Sequence, residues 1–143
     1  MAMVTFREKT TRPHGATAAV TPDGEGRVTL KAGAQAIVAV SDADEGFTPL
    51  ELLDAALASC LAVSIRYAAR RHGIAEHVGR IEVAVDHEKA PDDLSRVVRF
   101  HARYVFAGEI SAEERAMLIA EAHRLCTVGN TIARGTDIVD ADG

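Results

Sequence analysis

Two cysteines, Cys60 and Cys126, are the residues of this 143-residue chain best equipped for chemistry. A thiolate is a nucleophile, a metal ligand and one half of a disulfide. The two lie far apart in the sequence, with no C-x-x-C and no zinc-type spacing. That excludes a small secreted disulfide scaffold and leaves two free thiols, or a redox pair, in a reducing compartment. Cys60 stands in an apolar run and, taken alone, reads as a small core hydrophobe. Cys126 differs: it stands where an apolar run stops, beside Thr127 and Gly129. If a helical segment starts after it, backbone N–H groups there would favour its thiolate. Whether the two cysteines meet is not readable from their positions.

The other constellations are weaker. His123 and Cys126 have an i,i+3 spacing that could share a metal, but a zinc site needs four ligands and no third or fourth is visible. His72, His77, His87 and His101 are scattered. Gly24-Glu25-Gly26 lacks the strand–turn–helix setting of a nucleotide loop. Ser59 and Ser64 lack a nucleophile elbow. Arg99, His101 and Arg103 alternate along one segment and read as a solvated sheet face.

The elements that position the cysteines follow from local patterns. Thr48-Pro49-Leu50-Glu51 predicts a helix start, with Thr48 as N-cap, Pro49 at the first helical position and Glu51 reaching back to the cap N–H. This helix is expected to run to about His72, ended by Gly73, over about 35 Å. Between Leu52 and Ile65 only Asp54, Ser59 and Ser64 are polar, so burial on most sides is expected. Ser111-Ala112-Glu113-Glu114 opens a second helix, with Leu118, Ala122 and Leu125 on one face and Cys126 near its end.

Strands fill the rest. Val4 and Phe6, Ala16 to Val20, Val28 with Leu30, and Ile37 to Val40 predict an antiparallel meander broken by the turn Thr21 to Gly26. Ile81 to Asp86 alternates with period two, Glu88 to Ser95 reads as a loop, and Arg96 to Phe106 returns as its hairpin partner. Val98, Phe100, Ala102, Tyr104 and Phe106 are assigned to the inner face. A last strand is expected at Asp137 to Val139. Strands, long helix, two strands, helix and strand make an α+β fold in a single domain over residues 1–143.

Composition sets the remaining bounds. With 48% hydrophobic and 26% charged residues the chain can offset its conformational entropy, so a folded rather than a disordered chain is expected. A formal net charge of -5 argues against nucleic acid as a partner. No stretch is expected to match the roughly 18 apolar residues of a membrane span. Met1 to Thr10 lacks the charged-then-apolar order of a signal peptide. A cytoplasmic location is the expectation.

The stretch Thr48-Pro49-Leu50-Glu51-Leu52-Leu53, through Ala55-Ala56-Leu57-Ala58-Ser59-Cys60, resembles the first cysteine helix of the OsmC/Ohr family. This is the family of osmotically induced proteins and organic hydroperoxide resistance proteins. Cys126-Thr127-Val128-Gly129-Asn130-Thr131-Ile132 resembles its second cysteine segment, with Thr127 where the family usually has proline. The element order is similar as well. The resemblance implies an OsmC-like fold, with antiparallel sheets around a long central cysteine-bearing helix in an intertwined homodimer. It implies a thiol peroxidase in which Cys60 attacks an organic hydroperoxide and Cys126 resolves the sulfenic acid. A dithiol reductant, a lipoylated protein in some members, restores both thiols, and no metal, nucleotide or other cofactor is required. Glu51 maps onto a glutamate that holds an activating arginine. Arg27 is the nearest candidate for that arginine and Arg12 the next. The departures at Thr127 and at the arginine keep open a stress or small-ligand binding protein without efficient turnover. Glu51 and Cys60 are nine positions apart on one predicted helix, on opposite faces and ~13 Å apart along it. A Glu51 that serves the thiol would then serve the other subunit's Cys60.

Overall fold

Thr48 and Glu51 close the capping box that the sequence predicts. The Thr48 N–H donates to Glu51 Oε2 (2.8 Å) and the Glu51 N–H to Thr48 Oγ1 (3.2 Å). Two orphan helix donors are satisfied at once, and helix α1 runs from here over Pro49–Arg71. The computed structural model describes residues 12–41, 44–92 and 94–141. The chain divides into two compact units, one ending at Glu51 and one beginning at Leu52, with α1 crossing the boundary near its first turn.

The first unit is a three-stranded antiparallel sheet of β1 (Ala16–Val20), β2 (Gly26–Leu30) and β3 (Gln35–Val38), in that spatial order. The meander is as expected; Val4 and Phe6 lie outside the described residues. Gly24 makes the first turn at φ 90°, while the Glu25 N–H donates to Thr21 Oγ1. Gly26 faces Val38 so closely that a Cβ there would stand 2.4 Å from the Val38 carbonyl oxygen, so only glycine fits. After β3 the chain folds back, and the Ala39 N–H and Phe47 N–H close onto Phe47 and Ile37 carbonyls, both at 3.0 Å.

The second unit packs one face of α1 on a hairpin and a second helix. The hairpin joins β4 (Ile81–Lys89) to β5 (Val97–Phe106), and α3 (Ala112–Leu125) follows. A short helix α2 (Ala75–Val78), absent from the sequence reading, precedes the hairpin. Leu57, Leu61, Ile65, Ala68 and Ala69 of α1, Val78, Leu118, Ala122 and Cys126 form the buried cluster. The i, i+4, i+8 spacing of Leu57, Leu61 and Ile65 makes the stripe. Ile81, Val83 and Val85 of β4 and Phe100, Ala102, Tyr104 and Phe106 of β5 pack against it.

Several expectations are corrected. Strand β4 extends to Lys89, and the register slips between Glu88 and Lys89: Glu88 pairs with Arg99 but Lys89 with Val97. Val98 is therefore the extra residue of a bulge and is exposed rather than on the inner face. No strand forms at Asp137 to Val139. Ile138 and Val139 are 94% and 81% exposed, because a helix, α4 (Thr127–Arg134), takes up the preceding residues. Its signal was the i,i+4 pair Val128 and Ile132, both half-buried against the core. Burial of α1 is also one-sided: Val63 and Tyr67 remain 70% and 54% exposed. By length and composition α1 does reach the hydropathy of a membrane-crossing helix, contrary to the count made from sequence, though a core helix passes the same test.

Candidate functional site

Helix α3 opens on a second capping box, with reciprocal bonds between Ser111 and Glu114. It ends at Cys126, whose N–H donates to the Ala122 carbonyl (2.8 Å). Cys126 is extended (φ -70°, ψ 103°) and is at the same time the N-cap of α4. Its Sγ accepts the Gly129 N–H at 3.2 Å, the role an N-cap oxygen ordinarily fills. Cys126 is fully buried. Cys60, from the middle of α1, packs half-buried against the same cluster. The structure thus places at one apolar cluster the two cysteines that the sequence holds far apart.

The electrostatics reverse one expectation. The α4 N–H groups do act on Cys126, and the bonds from Gly129 and Val128 pull its proton affinity down. Burial and the neighbouring Cys60 act the other way and prevail, so the Cys126 thiol is pushed above its ordinary value. Desolvation of a thiolate inside the core outweighs two backbone dipoles. The native chain thus holds this proton more tightly than the unfolded chain, whose thiol titrates near 9.0. Stability present below that pH is lost as the pH rises through the native value. We expect the melting temperature of the reduced protein to fall more steeply above pH 9 than that of Cys126→Ala, as followed by circular dichroism. Parallel profiles would show that burial does not hold the proton.

Two residues that the sequence did not single out together stand beside this site. Tyr104 of β5 packs against the cluster, and its hydroxyl hydrogen-bonds His123 Nε2 (3.1 Å). Burial and the neighbouring Cys126 push the Tyr104 phenol upward. His123, considered above as a metal partner of Cys126, is thus engaged by a phenol. No group of three or more His, Cys, Asp and Glu side chains among the described residues is placed to hold a metal ion.

The remaining predicted residues lie as follows. Glu51 is exposed and forms the capping box. Arg27 lies on β2 of the first unit, where Nη1 donates to Gln35 Oε1 (3.2 Å). It lines a cleft of about 420 Å³ with Glu25, Asp44 and Glu45; neither cysteine lines it. Arg12 precedes β1 and is exposed. The charged hairpin face is a solvated one, as expected: Glu88 takes Arg99 (2.9 Å) and His101 (2.8 Å), and Asp86 takes Arg103 (2.9 Å). Two pairs, the first partly buried and the second exposed, tie the helices down. Asp54 of α1 meets His87 of β4 (2.8 Å), and Glu121 of α3 meets His72 (2.6 Å).

A family model described as OsmC-like protein matches residues 42–139. Among solved structures, an OsmC-like protein from Mycoplasma pneumoniae is similar with a TM-score of 0.75 at 17% identity, covering 84% of this chain and 86% of that one. An organic hydroperoxide resistance protein OsmC from Legionella pneumophila, described as a predicted redox protein, is similar with a TM-score of 0.67 at 19% identity, covering 83% and 89%. The organic hydroperoxide resistance protein OhrB of Bacillus subtilis is similar with a TM-score of 0.63 at 20% identity, covering 82% and 87%. At these identities the likeness is one of fold, an α+β arrangement with antiparallel sheets. No curated protein matches the chain.

Proposed function

Because the chain belongs to the OsmC-like family, we propose that it is a two-cysteine peroxidase for organic hydroperoxides. The observation that carries this reading is that Cys60 packs against the same buried apolar cluster that holds Cys126. Cys60 is the less buried of the two and is the nucleophile. Its thiolate attacks the terminal oxygen of the hydroperoxide; an S–O bond forms as the O–O bond breaks. The alkoxide leaves, takes a proton from water and departs as the alcohol, while the sulfur is oxidised to a sulfenic acid. The Cys126 sulfur then attacks the Cys60 sulfur. The S–S bond forms, and hydroxide leaves with the Cys126 proton as water. A dithiol reductant, such as a lipoylated protein, returns both thiols through a mixed disulfide and is itself oxidised.

The apolar surroundings of Cys60 suit a greasy peroxide better than hydrogen peroxide. The assignments of Glu51 and Arg27 as the carboxylate and cation that favour the Cys60 thiolate come from the family resemblance. A cytoplasmic location belongs to the same proposal, since a reducing compartment keeps both thiols ready.

The test is direct. Reduced protein mixed with cumene hydroperoxide and a dithiol should consume the peroxide. With the dithiol left out, it should lose both free thiols to one intramolecular disulfide, seen by mass spectrometry of the digest. Peroxide left untouched, with no Cys60–Cys126 disulfide, would make the chain a binding protein of this fold instead.

A further inference from the structure

We propose that Gly129 is a positioning residue for the resolving step: the side chain it lacks lets the start of α4 close against α1, and this seat sets the approach of the Cys126 sulfur to Cys60. The role rests on the peroxidase reading and concerns its second step alone. In that step the S–S bond forms as the S–O bond of the Cys60 sulfenic acid breaks, and hydroxide leaves with the Cys126 proton as water.

Gly129 stands in the first turn of α4, three residues after its N-cap Cys126. A helical backbone does not call for glycine, and glycine is the poorest helix former after proline. Space accounts for its presence. A Cβ on Gly129 would stand 3.3 Å from Cys126 Sγ and 3.5 Å from Leu57 Cδ1. The first approach is tight enough that a neighbour would have to give by a few tenths of an ångström. Neither neighbour has open space to move into: Leu57 is 7% exposed and Cys126 is fully buried. The Gly129 N–H also holds the sulfur directly, at 3.2 Å. The segment is braced on both sides of it. The Asn130 N–H donates to the Cys126 carbonyl (2.9 Å) and Asn130 Nδ2 to the Arg124 carbonyl (3.1 Å). Val128 and Ile132 pack against the core.

Leu57 lies one turn before Cys60 on α1. The place where Gly129 meets α1 is therefore within a turn of the nucleophile. A methyl group at 129 would press the start of α4, and the Cys126 that caps it, away from that turn. Disulfide closure is sensitive to such a shift, because the attacking sulfur has to reach the sulfenic sulfur and align with the bond that breaks. The attack of Cys60 on the peroxide does not involve this contact.

Single-turnover kinetics separate the two steps. Wild type, Gly129→Ala, Leu57→Val and the double variant, checked for folding by circular dichroism, are mixed in reduced form with cumene hydroperoxide and no dithiol. Dimedone trapping follows sulfenic acid on Cys60, and mass spectrometry of the digest follows the Cys60–Cys126 disulfide. Gly129→Ala should form sulfenate at the wild-type rate but close the disulfide about tenfold more slowly, as overpacking by one methyl does, so that sulfenate accumulates. Adding Leu57→Val, which removes the Cδ1 that the new methyl meets, should return closure toward the rate of Leu57→Val alone. Closure by Gly129→Ala at the wild-type rate, or slow closure that Leu57→Val does not relieve, would overturn the inference and leave the peroxidase reading standing. Wild type that forms neither sulfenate nor disulfide would overturn both.

Discussion

A Cys60→Ser protein is expected to lose steady-state consumption of organic hydroperoxide by at least about a thousandfold, as removal of an essential nucleophile does. A serine hydroxyl stays protonated at neutral pH and is far less nucleophilic than a thiolate. Cys126 does not stand in for it. Its thiol is fully buried and held protonated by its surroundings, so it is a poor nucleophile toward a peroxide arriving from outside. The comparison protein is Cys126→Ser, in which Cys60 remains and a sulfenic acid accumulates that dimedone captures. The measurement is peroxide remaining against time with a dithiol in excess, with thiol counts on each protein. Turnover by Cys60→Ser comparable to wild type would remove Cys60 from the chemistry, and with it the order assigned to the two cysteines.

The second large effect concerns assembly. Along α1, Leu57, Leu61 and Ile65 are buried by this chain, while Val63 and Tyr67, one turn apart on another face, remain 70% and 54% exposed. One chain this small covers one side of an apolar helix, and the uncovered stripe calls for a partner surface. We propose that a second copy supplies it, in the homodimer that the family resemblance implies. Sedimentation at micromolar concentration should then report about 30 kDa for the 15.2 kDa chain. Val63→Asp should shift the protein to the monomer mass, because an unpaired carboxylate in a dry interface costs several kcal/mol. As a monomer surface change the same substitution would be nearly neutral. A wild-type chain that sediments as a folded monomer, or a Val63→Asp protein that stays dimeric, would sink the proposal.

The sequence by itself determined the elements whose signals are local. Thr48 with Glu51 and Ser111 with Glu114 lie three residues apart, and both boxes close as read. The alternation from Ile81 to Asp86 and from Arg99 to Phe106 set which residues of the hairpin face the core. These patterns work because a helix or strand repeats every few residues, so neighbours in sequence fix one another's faces. The resemblance of the two cysteine segments likewise needed only short stretches.

The tertiary structure decided everything that depends on summed burial or on contacts between distant segments. The bulge that expels Val98 arises from the partner strand's register, which Val98's own neighbours do not encode. His123 turns to Tyr104 because β5 passes beside α3. Cys126 keeps its proton although a helix starts at it, since desolvation by the whole core outweighs the local N–H groups. The convergence of Cys60 and Cys126 on one cluster is of the same kind. Each cysteine's place on its helix was legible, but they share a cluster only because α1 and α3 pack together, and that packing is a property of the folded unit.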